Sequence, residues 1–367
     1  MIDRLPELAA ELPAHLHEIC ARLYQIDRTH GYAVPPPEME PWVVAHFGSV
    51  AAVREQTIVK VTNRLTLESA LFNPIRARRP SPGAGDAADL EQAIARELAD
   101  HDIFRDPERT TTADVFGRIR GRYCVSASNV AKYDGWHGLV IFDDPHPLHV
   151  GPAQLRDFLD VALRWIAAAH ARDAAAIYPI ITWNCLPKSG ATLMHGHMQI
   201  ALARGMHYAK IEAWRRAGAA YRADYGADYL GDLAALHAEL GLATPAAGAA
   251  RAFAHLTPAR NRELVVLAAG LPAGGLAALD LSDLSDTLAG ALRGLIEGQG
   301  VRAFNLAIAL PPIGPAAERW DDMPIVARLG DRGDPLSSRS DVGAMELYVA
   351  GCITADPFEV AAALRAR

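Results

Sequence analysis

The chain has 367 residues, half of them hydrophobic and 22% charged, which is enough apolar material for a large buried core. A net charge of −7 excludes the basic surface that bulk nucleic-acid binding needs. Four cysteines without a Cys-x-x-Cys fit reduced thiols better than a disulfide framework, and the N-terminus lacks the basic start and apolar run of a signal peptide. No apolar window is long enough to span a membrane, because Gly270, Pro272, Gly274 and Gly275 interrupt the best one, so a cytoplasmic location is expected.

In chain order, residues 1 to about 55 read as a helical extension, with Leu5, Leu8, Leu12, Leu16, Ile19 and Leu23 near helical spacing. Strands are expected at 138–142 and 177–183, with an amphipathic helix at 150–169 that turns Leu155, Phe158, Leu159, Ala162, Leu163 and Ile166 inward. A polar turn follows, Asn184-Cys-Leu-Pro-Lys-Ser-Gly-Ala-Thr192, and then a strand that ends near Arg204. Residues 208–241 read as helical and 244–251 as a flexible connection. A strand at 263–269, a helix at 282–297 with Ser282 as N-cap, and a strand at 302–310 then repeat the earlier order. The division expected is 1–55, 56–205 with the chemistry, and 206–367.

The chemistry concentrates at His195-Gly-His-Met-Gln199. Strand alternation points His195, His197 and Gln199 to one face and Gly196, Met198 and Ile200 to the other. Such a triplet also fits a solvated sheet face, but the preceding turn is rich in amides and hydroxyls suited to an anion, which favours a phosphate site. Paired imidazoles can act as metal ligands, base or nucleophile.

His195-Gly-His-Met-Gln199 resembles the His-Pro-His-x-Gln motif of the galactose-1-phosphate uridylyltransferase branch of the histidine-triad superfamily. Asn63-Arg-Leu-Thr-Leu-Glu-Ser-Ala-Leu-Phe-Asn-Pro-Ile-Arg-Ala-Arg-Arg-Pro80 is similar, without a gap, to that family's Asn-Pro-Leu-Thr-Gly-Glu-Trp-x-Leu-x-x-Pro-x-Arg-Ala-x-Arg-Pro. The resemblance implies an α+β fold of tandem halves, an antiparallel sheet flanked by helices, and expects a homodimer. It implies that His197 attacks the α-phosphorus, with His195 and Gln199 beside it. It gives Arg76 and Arg79 the nucleotide phosphates, leaving Arg78 open, and makes Tyr123–Asn129 the strand whose closing Asn129 touches the base or ribose. Asn184, Ser189, Gly190 and Thr192 fall where the family's phosphate-cradling loop lies.

Two departures bear on metals. The family's zinc-binding members carry a Cys-x-x-Cys after the Arg-Pro segment, where this chain has Ser81-Pro-Gly-Ala-Gly-Asp86, leaving His146 and His195 as half a site. A second family site uses a His-x-His just before Pro-Pro, and the positions assigned to it here are Leu306 and Ile308. No metal or other cofactor is therefore expected. The reading is a nucleotidyltransferase acting on a nucleotide sugar or dinucleotide, with a phosphorylated sugar or inorganic phosphate as acceptor and no nucleic acid or membrane partner. A phosphorylase, or a sugar-nucleotide isomerase, mutase or binding protein that reuses the pocket, stays open beside it.

Overall fold

The alternating apolar residues of thirteen short segments sort into two sheets in the computed structural model, which describes residues 2–78, 87–100, 102–321 and 323–366. The strands are β1 (Tyr24–Tyr32), β2 (Glu55–Asn63), β3 (Ser69–Phe72), β4 (Cys124–Ser128), β5 (Trp136–Phe142), β6 (Ala176–Cys185) and β7 (His197–Arg204). They continue with β8 (Ala243–Thr244), β9 (Arg251–Ala254), β10 (Asn261–Ala268), β11 (Phe304–Ala309), β12 (Ile325–Asp331) and β13 (Ala350–Ile353). Nine of them form one antiparallel sheet in the order β4-β5-β7-β6-β11-β12-β10-β9-β8. The other four form a smaller sheet in the order β1-β2-β3-β13.

The large sheet is a tandem of two similar halves. The run β5, helix Pro152–Arg172, β6, β7 is repeated as β10, helix Ser282–Arg293, β11, β12, and the halves join where β6 pairs with β11, Asn184 opposite Asn305. Both helices bury the faces their spacing dictates. The first buries Leu155, Phe158, Leu159, Val161, Ala162, Trp165, Ile166 and Ala169, each large side chain contributing roughly 1.5–3 kcal/mol. It covers the face of the sheet that carries Met198 and Ile200. The approach is close enough that a Cβ on Gly138 of β5 would lie 2.5 Å from the Trp165 ring, so only glycine fits there. The opposite face, with His197 and Gln199, is left for the site.

The N-terminal segment departs from the helical reading. Residues 5–10, 14–23, 40–47 and 50–54 are helical, but Tyr24–Tyr32 is a strand antiparallel to β2. The leucine repeat stops at Leu23, and Tyr24, Ile26, Thr29 and Tyr32 are residues that favour a pleated edge. The 208–241 span is two helices, Ala209–Tyr225 and Tyr229–Glu239, broken at a left-handed Gly226 and restarted by the Asp228 cap. Ser282 lies inside its helix rather than at the N-cap, and its N–H donates to Asp280. Part of the Asn63–Pro80 match serves the fold. Glu68 is buried and receives Arg328, Lys210 and the Trp214 indole N–H, while Asn63 caps its own turn and donates to Tyr229. No helix among the described residues is long and apolar enough to cross a membrane.

Candidate functional site

His197 opens β7, and its ring is 7% exposed at the residue level. Its Nδ1–H donates to the carbonyl of His195 at 2.8 Å, which leaves Nε2 as the nitrogen with an available lone pair. Burial is the main cause that holds this imidazole below the usual histidine value; the bond to His195 works against it and the charge of His195 adds to it. Phe104 presents its ring edge-on to both histidines, with centroids 5.7 Å from His195 and 5.2 Å from His197. Phe104 packs with Val125, Ala127, Leu139 and Ile141 into a small apolar wall on this face.

Gln199 lies two residues along the same face. His137 Nε2 is 3.0 Å from the Gln199 Oε1 and 3.1 Å from Asn129 Nδ2; with His137 Nδ1 accepting the Tyr133 N–H at 3.4 Å, the Nε2–H donates to Gln199, and Asn129, just after β4, sits against the same ring edge. Tyr133 lies over that ring at 3.8 Å between centroids. Asn129 and Gln199 thus meet at a histidine that the sequence reading did not single out. Its only signal was its place in β5, immediately before Gly138.

The loop between β6 and β7 is held from the second half. Asn305 Nδ2 donates to Asn184 Oδ1 at 2.7 Å and to the Ser189 carbonyl at 2.8 Å, and Arg332 donates to Asn305 Oδ1 at 2.7 Å while paired with Asp341. Lys188 donates to the carbonyls of Ser337 and Arg339. The turn itself uses φ +99° at Gly190, a left-handed conformation that glycine adopts without strain. The N–H groups of Ser189, Gly190 and Ala191 are all used inside the turn, on Leu186 and Pro187 carbonyls. The Ser189 hydroxyl is buried with no partner among the described residues, and Thr192 is exposed.

Arg76 is not joined to this group by any hydrogen bond among the described residues. Arg76 lies on the short helical turn Pro74–Arg78 after β3, in the other sheet, where it lines a cavity of about 200 Å³ with Phe47, Val53, Gln56 and Asn73. Its Nε is buried and unpartnered among the described residues. Arg78 is used structurally, donating to the Phe47 carbonyl, and Arg79 lies outside the described residues.

The half zinc site does not fit a metal. His195 places Nδ1 2.9 and 3.0 Å from the two carboxylate oxygens of Asp102 and Nε2 2.8 Å from the Phe142 carbonyl, so neither nitrogen offers a lone pair. His146 is turned to Glu91 at 3.0 Å and stacks on His149. Leu306 and Ile308 are buried core residues of β11, and the strand that takes the place of β7 in the second half is β12, which carries no histidine.

No family model matches the sequence, and no curated protein matches it. Solved structures do. An ADP-glucose phosphorylase from Arabidopsis thaliana, with bound ADP-glucose, matches with a TM-score of 0.64 at 14% identity, over 83% of this chain and 98% of that one. A GALT-like protein from the same plant matches with a TM-score of 0.59 at 14% identity, over 72% and 92%. A uridylyltransferase matches with a TM-score of 0.56 at 16% identity, over 67% and 85%. With the tandem sheet and the His195–Gln199 strand in place, these matches show a fold shared with those proteins, an α+β fold with a large antiparallel sheet and helices.

Proposed function

We propose that the protein transfers a nucleoside monophosphate between a nucleotide sugar, or a dinucleotide, and a phosphorylated acceptor through a covalent nucleotidyl-His197. The observation that carries this is the oriented, buried imidazole, whose Nδ1–H is fixed on the His195 carbonyl so that Nε2 is the attacking atom. In the first step Nε2 forms a bond to the α-phosphorus while the bond to the leaving phosphate oxygen breaks and that oxygen keeps the electron pair. In the second, an acceptor phosphate oxygen attacks the same phosphorus and the lone pair returns to Nε2. Charge on the non-bridging oxygens meets the Gln199 amide N–H groups, the unpartnered Ser189 hydroxyl and Thr192. Asn129 and Asn184 serve substrate contacts in this reading, and Arg76 and Arg79 serve the phosphates.

A second reading is a phosphorylase with inorganic phosphate as acceptor, favoured by the similarity to an ADP-glucose phosphorylase over most of the chain. A binding protein or isomerase has no need of a nucleophile with one nitrogen pinned, and the geometry favours transfer over both. The test is to incubate the protein with a panel of nucleotide sugars and seek an acid-labile mass increment of one nucleoside monophosphate. The increment is expected on the wild type and is absent from His197→Gly. If His197→Gly carries it too, another residue is the nucleophile. Product analysis with phosphate against hexose 1-phosphate separates the two acceptors.

A further inference from the structure

Two carboxylates of the helix Ala87–Asp100 and that of Asp102 beyond it meet the segments that lead out of β5 and into β7. The helix docks by Leu90 and Ile94, its buried residues. Glu91 faces His146 at 3.0 Å, Glu97 accepts the Met194 N–H at 2.9 Å, and Asp102 receives His195 Nδ1 at 2.9 and 3.0 Å. The last pair is the most enclosed, the His195 and Asp102 side chains being 4% and 3% exposed. The other nitrogen of His195 is 2.8 Å from the Phe142 carbonyl. Carboxylate and carbonyl oxygens only accept, so His195 donates at both ends of its ring and is gripped from two sides. The carbonyl of that same residue orients His197.

We propose that the 87–104 segment is a protein clamp doing the work of a structural metal, with Asp102 as a positioning residue that acts through His195 to keep His197 in a single tautomer. The two histidines that the family resemblance marks as half a zinc site are both taken by carboxylates of this one segment, Glu91 and Asp102. Phe104, two residues beyond Asp102, seals the edge of both rings. A fixed ring needs rigid support on its far side, whether that is a metal or a carboxylate. The consequence for rate rests on the nucleophile reading above; the tautomer itself does not.

Nitrogen-15 NMR of the histidine rings in the full-length protein tests this without any substrate. In the wild type, His195 shows two ring N–H signals and His197 one, at Nδ1, and the purified protein holds well below one zinc per chain. A single N–H signal at His195, or stoichiometric zinc whose removal destabilises the protein, overturns the clamp, and this arm stands even where variants fail to fold. In Asp102→Asn, His195 loses one N–H, His197 populates both tautomers, and its nucleotidylation rate falls by about a hundredfold with KM little changed. Asp102→Glu restores part of the rate. An unchanged His197 tautomer in Asp102→Asn overturns the positioning role. If the tautomer responds but no nucleotide sugar modifies the wild type, the clamp stands and the transfer reading falls.

Discussion

His197 has to be neutral to attack phosphorus, and its burial supplies that condition. Because its value lies below the ordinary histidine range near 6.5, the acid limb of the nucleotidylation rate falls below that pH, and the rate is flat from there to neutrality. A limb at or above 6.5 would show that the reacting imidazole is not this one. Arg76 carries a separate expectation. Its buried, unpartnered Nε suits a phosphate oxygen, and charge-assisted bonds of that kind are worth roughly 1.5–3 kcal/mol. Arg76→Ala is expected to weaken nucleotide-sugar binding by about one to two powers of ten, with Arg76→Lys recovering only part because a point charge lacks the bidentate fork. Calorimetric titration decides it. Unchanged affinity in the alanine variant would mean that the turn after β3 is a structural edge, in keeping with its place in the smaller sheet. At this scale the strand period was legible: it placed His197 and Gln199 on one face. Asp102 was not, because it lies 93 residues from His195 in a segment with no motif of its own.

The loop between β6 and β7 is only as rigid as the string that ties it to the second half, Asp341 to Arg332 to Asn305 to Asn184 and Ser189. Arg332 is largely buried, and removing it strands an amide oxygen and a carboxylate. Arg332→Ala is expected to cost about 1–3 kcal/mol in denaturant unfolding and to weaken nucleotide-sugar binding as the loop loosens. If stability falls while binding stays the same, the string serves the fold alone and the loop does not hold the ligand. This coupling was hidden in the sequence for a physical reason. Asn184 and Asn305 become neighbours only because β6 and β11 form the seam between the halves, and pairing across a seam leaves no local periodicity. The elements that were legible, the helix Pro152–Arg172 and strands β5, β6, β7, β10 and β11, have strong apolar patterns and sharp turn residues at their ends. Strand β1 was masked by the leucine repeat before it, whereas β12 follows a proline-rich stretch that offers no such pattern.

The whole molecule stores several histidines in neutral form inside its core, and this sets how it responds to acid. Burial pushes His207 and His237 down to about 4, and His255 well below the ordinary value. His237 shows why: Nδ1 faces the Leu233 carbonyl and Nε2 accepts the Leu256 N–H, a pattern that only the neutral ring satisfies. In the unfolded chain each returns to about 6.5 and binds a proton that the native state refuses. A folded value below the unfolded one means the stabilisation is complete above about pH 6.5. It is lost progressively as pH falls toward 4, by up to about 3 kcal/mol per residue. Thermal melts between pH 7 and 5 should therefore show a falling Tm, of about 5 °C or more for a chain of this length. The bridging carboxylates contribute mostly at lower pH, so this window isolates the histidines. His237→Gln, which keeps a donor and an acceptor without the titrating ring, should reduce the slope by roughly one proton's worth. A Tm independent of pH across that window, or a slope that His237→Gln leaves untouched, would mean that these rings are solvated in the native state and that the core is not packed around them as the structure has it.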